Sequence, residues 1–107
     1  MMDSIKVSLK DILKDKSYAD GGLVLFDIAD KAIPDGDTVV IDMEGVLSIP
    51  TLFMNTSFGD LIVKHGIERT KKIFLFNNVN RIQFEKIQKY FNDFQALCEK
   101  MELEMNV

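Results

Sequence analysis

Cysteine, histidine, proline and tryptophan are nearly missing from this sequence of 107 residues, which has one, one, two and none of them. The lone Cys98 cannot close an internal disulfide, and a zinc site built on Cys and His needs more than one of each. Both absences fit a reducing compartment. A single histidine leaves His65 as the sole imidazole for a catalytic triad, and at the end of a predicted helix it reads as a cap or dipole-complementing residue rather than a base. Glycine occurs six times but in no nucleotide-binding pattern. There is no Walker loop and no G-x-G-x-x-G, and Gly21-Gly22 is too little to cradle a phosphate. The G-x-S-x-G elbow and the H-E-x-x-H pair are absent too. Every apolar run is broken within a few residues by Asp, Lys or Asn, well short of the roughly 20 apolar residues that span a bilayer. The segment Met1 to Lys10 lacks the basic-then-apolar order of a signal peptide. A cytoplasmic protein without a membrane partner is the expectation.

The formal net charge is −4, the wrong sign for a nucleic-acid binder, which needs clustered Lys and Arg to meet phosphates. The one basic cluster, Lys64, His65, Arg69, Lys71 and Lys72, reads as a solvated helix end and loop, since cations suit helix C-termini. Hydrophobic residues make up 47% and charged residues 28%, which is enough apolar surface to offset the chain entropy of one domain. The length leaves no room for a second core, so residues 1–107 are read as a single domain.

Ser4 to Leu9 alternates, with Ile5, Val7 and Leu9 on one side, and predicts a half-buried strand. A short helical turn follows around Ile12 and Leu13. Ser17 is placed to cap a helix from Tyr18 to Ala32, with Leu25, Ile28, Ala29 and Ala32 on one face. Pro34 predicts its end, and Asp35-Gly36-Asp37 supplies turn chemistry. Thr38 to Met43 carries the β-branched run Val39-Val40-Ile41, which predicts a central strand covered on both faces. The spacing of Met54, Phe58, Leu61, Ile62 and His65 predicts a helix from Thr51 to His65, stopped by Gly66 and Ile67. A third strand is expected over Lys72 to Phe76. Asn80 and Gln83 form a capping-box pattern, opening a long helix whose stripe is Phe84, Ile87, Phe91, Phe94, Cys98 and Met101. Its acidic end, Glu99 to Glu104, is expected to fray. The order predicts an α/β fold, a three- or four-stranded, mostly parallel sheet packed with about three to four helices.

Polar candidates are few. Cys98 lies on an apolar stripe and reads as a small buried hydrophobe, while Met43, Met54 and Met101 read as core fillers. Asp42 and Glu44 flank the end of the central strand, where α/β domains place ligand sites. They are the carboxylates a magnesium-dependent enzyme or phospho-acceptor would use, although a turn cap explains Asp42 as well. Ser48, Pro50 and Thr51 precede the next helix, where a hydroxyl either caps backbone amides or, if phosphorylated, sets its charge beside the helix dipole.

The stretch Val39 to Leu61, VVIDMEGVLSIPTLFMNTSFGDL, resembles the STAS-like domains of unknown function. Their pattern is an acidic strand end, a Gly-Val turn, and a hydroxyl-rich helix start followed by F-L-N-x-x-F-G-x-L. Asp42, Gly45, Val46, Phe53, Asn55, Phe58, Gly59 and Leu61 match it, and Ile73 to Asn77 fits the third strand. These domains are similar to the anti-sigma-factor antagonists, which offer a Ser or Thr at a helix start to a partner kinase. On that motif the phospho-acceptor position falls on Thr51, where Pro50-Thr51-Leu52-Phe53 stands in place of Asp-Ser-Ser-Gly. The resemblance implies a non-catalytic bacterial regulatory domain without a cofactor. It also implies a protein-binding surface around Ser48, Thr51 and Asn55, and a histidine-kinase-type ATPase as the partner. A structural subunit that only dimerises is the remaining alternative.

Overall fold

In the computed structural model, residues 4–105 are described, with side chains over residues 4–96. The readings of Cys98 and Met101 as core positions therefore lie outside the described side chains. Three strands, β1 (Ser4–Ser8), β2 (Thr38–Asp42) and β3 (Phe74–Asn77), form one sheet in the order β1-β2-β3, parallel throughout. The helices are α1 (Leu9–Leu13), α2 (Tyr18–Asp35), α3 (Thr51–Met54), α4 (Asp60–His65), α5 (Ile67–Ile73) and α6 (Arg81–Met105). A π turn, Asn55–Gly59, joins α3 to α4 with helical backbone throughout, so residues 51–65 form one continuous helix.

Register shows where the core lies. Ile5, Val39 and Phe74 form one row across the sheet, and Val7, Ile41 and Phe76 another. Val39 and Ile41 are completely buried there, beneath Leu25, Ala29, Phe53, Phe58 and Leu61. Phe58 packs edge-on against Phe74, with ring centroids 5.1 Å apart, and tilted against Phe91 at 5.3 Å, which ties the long helix α6 to the sheet.

The intervening row, Lys6, Val40 and Leu75, corrects the expectation of a strand covered on both faces. Val40 is only half-buried, and Lys6 and Leu75 are exposed. The reason is topological: right-handed crossovers that step the same way from β1 to β2 to β3 lay their helices on one side of the sheet. The other face is solvated, and Ser4, Lys6, Ser8, Thr38, Asp42 and Asn77 supply its polar groups. Alternation is visible across the sheet but not within the run Val39-Val40-Ile41.

Other boundaries also move. Leu9 begins α1, capped by Ser8, whose hydroxyl accepts the Asp11 amide. Helix α2 starts at the predicted Ser17 cap but runs past Ala32 through Pro34. Proline there forfeits one hydrogen bond of the last turn, and Gly36, at φ 71°, closes the end with its own amide and that of Asp37 on the carbonyls of Ile33 and Ala32. The strand expected from Lys72 begins at Phe74. Lys72 and Ile73 belong instead to α5, where Ile67, Thr70 and Ile73 recur at helical spacing and the buried Thr70 hydroxyl donates to the Gly66 carbonyl. Helix α6 keeps Ile87 and Phe91 in the core, yet Phe84 on the same stripe stays partly exposed against Phe76. Its backbone is helical through Glu99–Glu104.

Candidate functional site at the start of α3

The site is the loop from Met43 to Pro50 and the helix that follows. Asp42 Oδ1 accepts the backbone amide of Glu44 at 3.0 Å and the Asn78 side-chain amide at 2.9 Å. The Asn78 bond first, and the Glu44 amide second, hold this carboxyl below the usual carboxylate range. Asp42 is thus the turn cap that also bridges the ends of β2 and β3, while Glu44 is exposed. Gly45 at φ 79° completes the turn, and the Val46 carbonyl accepts the buried Gln83 side-chain amide at 2.6 Å. Gln83 and Asn80 cap each other as the pattern predicts: the Gln83 amide donates to Asn80 Oδ1 at 2.8 Å and the Asn80 amide to Gln83 Oε1 at 3.3 Å. Ile49 is buried and pins the far end of the loop.

Between these anchors Leu47 and Ser48 face outward. Leu47 is 96% exposed and Leu52, in the first turn of the helix, is 55% exposed. Neither was legible as a surface feature. The one signal was a leucine placed in a Gly-Val-Leu-Ser loop, outside any apolar period.

Thr51 is not the cap that a bland reading expects. Pro50 occupies the cap position, no side chain caps the start of α3, and Thr51 is the first helical residue and exposed. The fixed φ of Pro50, −72°, sets the chain's entry into the helix. Asn55, one turn on, accepts the Tyr90 hydroxyl at 2.7 Å. Burial, with the Asp60 carboxylate second, keeps the Tyr90 phenol above its ordinary pKa and therefore a donor. Asn55 thus ties the helix that follows the loop to α6, and Ser48, Thr51 and Asn55 are each exposed.

The helix is widened just below. In the π turn the buried Ser57 hydroxyl donates to the Phe53 carbonyl at 2.8 Å, which compensates for a hydrogen bond that a regular helix would make. Such bulges recur at functional sites. His65 stands at the opposite end of the helix and pairs with Asp30 of α2 at 2.7 Å, beside Lys64. Arg69, Lys71 and Lys72 are exposed on α5. The basic cluster is therefore remote from Thr51.

Because the strand order does not reverse, this sheet lacks the switch-point crevice where open α/β sheets hold nucleotides. Residues 20–83 match the family described as STAS-like domain of unknown function (DUF4325). The chain belongs to that family. Comparison with curated proteins and with solved structures returned no match. The STAS-like segment runs from the first turn of α2 to the first turn of α6, so it contains the whole β2–α3 loop. No helix among the described residues is long and apolar enough to cross a membrane.

Proposed function

We propose that this chain is a non-catalytic regulatory domain that binds a protein partner through the surface around the start of α3, with a histidine-kinase-type ATPase as that partner. The observation that carries the reading is the pairing of an exposed, non-capping Thr51 with the outward-facing Leu47 and Leu52. Exposed apolar groups rimmed by polar ones mark interaction surfaces. A STAS-like domain has its likeness to anti-sigma-factor antagonists as the argument for the kind of partner, which is fold-level analogy. The setting is bacterial cytoplasmic signalling.

The free Thr51 hydroxyl favours a phosphate-sensitive form of this reading. A phosphate there would add roughly two negative charges to the binding surface, at a helix start that favours anions. The loop geometry would survive while the partner's contact would not.

Affinity capture from the native host, with mass spectrometry, tests the proposal. Wild-type protein is expected to retain an ATPase of the histidine-kinase type, and the double variant Leu47→Asp, Leu52→Asp to lose it. A Val63→Asp variant, altered at an exposed position on α4, is expected to retain it. Identical capture by all three would refute the reading.

A further inference from the structure

Beside Leu47 a groove of about 620 Å³ opens between α1 and the β2–α3 loop, lined by Lys10, Leu13, Lys14, Tyr18, Val46 and Leu47. Its charge is uneven. Lys10 lies on α1 and Lys14 is the extended residue that closes its C-terminal end, with Asp11 as the acidic member of the wall and Ser48 as the hydroxyl of the opposite rim. The Lys10 stem rests on Gly45, where a Cβ would come within 2.9 Å of Lys10 Cδ. The positive φ and the missing side chain of Gly45 thus let one lysine lie across the loop at the groove's edge.

Building on the regulatory reading above, we infer that this groove takes an acidic segment of the protein partner, an aliphatic side chain flanked by Asp or Glu. Leu13, Val46 and Leu47 receive the aliphatic group, and Lys10 and Lys14 receive the carboxylates. In a chain of net charge −4, a wall with two lysines and one aspartate is locally complementary to an acidic peptide, and such complementarity steers partners and sets register. A small anion would satisfy the lysines but leave Leu47, at the rim, in water. A polypeptide covers both. The α1 wall and Tyr18 precede the STAS-like segment, which begins at residue 20, so this chain's own flank supplies the charged half of the groove.

Photo-crosslinking in the native host tests the inference on the full chain, with p-benzoylphenylalanine in place of Leu47 or, separately, of Leu52. The expected product at position 47 is a partner peptide with an aliphatic residue flanked by Asp or Glu. Its yield is expected to fall about tenfold with Lys10→Glu, Lys14→Glu, as removal of steering charges implies, and to hold with Lys71→Glu, Lys72→Glu, which changes net charge equally on α5. A crosslinked peptide without acidic residues, or equal yields from the two charge reversals, would overturn it. Crosslinks at 52 but none at 47 would overturn the groove while leaving the regulatory reading intact, and none at either position would overturn both.

Discussion

Thr56 donates its hydroxyl to the Ala19 carbonyl of α2 at 2.9 Å, across a gap that exists only because residue 22 is glycine. A Cβ on Gly22 would lie 1.8 Å from Thr56 Oγ1 and 2.7 Å from the Phe53 carbonyl oxygen. Gly21-Gly22, too short for a phosphate loop, is therefore a packing device: Gly22 seats α2 against the π turn, and Gly21 makes room for Leu13 of α1.

Gly22→Ala sets two effects against each other. Helix propensity favours alanine by about 1 kcal/mol, whereas overpacking against a backbone carbonyl that cannot rotate away costs about 1–3 kcal/mol, occasionally more. The clash is too short for a side-chain shift alone, so a net loss of stability is expected. Urea denaturation of the variant, with a midpoint equal to or above wild type, would disprove the close approach.

The one-sided sheet makes neighbouring valine and isoleucine unequal. Ile41→Ala is expected to lose about 2–5 kcal/mol from a fully buried site, and Val40→Ala less than about 1 kcal/mol from a half-solvated face. Equal losses in denaturant midpoints would mean that the second face is covered after all.

Asp30 gives the fold a pH dependence. Hydrogen bonds from Lys64 and then His65 depress its carboxyl pKa. A depressed folded-state value means that the ionised form is favoured by folding, so its contribution is present above the unfolded carboxylate value of about 3.9 and lost as pH falls through the lower folded value. Melting temperatures of wild type and Asp30→Asn are expected to differ at pH 6 and converge below about pH 4. A constant gap across that range would show that the pair contributes nothing through ionisation.

Much of this architecture was legible because short-range chemistry decided it. Ser17, the Asn80–Gln83 box and the Asp42 turn each satisfy backbone amides within three residues, so their patterns specify the geometry. Long-range effects hid the rest. The exposure of the Val40 row depends on which side the crossovers take. Pro34 stays helical because Gly36 closes the turn after it, and Lys72 joins α5 because Thr70 and Ile73 pack as a helical face. At the site, the hydroxyl of Thr51 looked like a cap until Pro50 took that position. Lys10, Lys14 and Tyr18 come to the loop only through the packing of α1 and the start of α2, which no local spacing encodes.

Thr51→Glu tests the central claim most directly. Thr51 caps nothing and sits where a helix start favours negative charge, so the melting temperature of Thr51→Glu should match wild type. Thr51→Ala, removing no cap, should also leave it nearly unchanged. Affinity for the proposed ATPase partner, measured by calorimetry, is the deciding quantity. The account predicts at least about a tenfold loss for Thr51→Glu, equivalent to about 1.4 kcal/mol, with the fold intact. Wild-type affinity in that variant would contradict a binding surface at the start of α3.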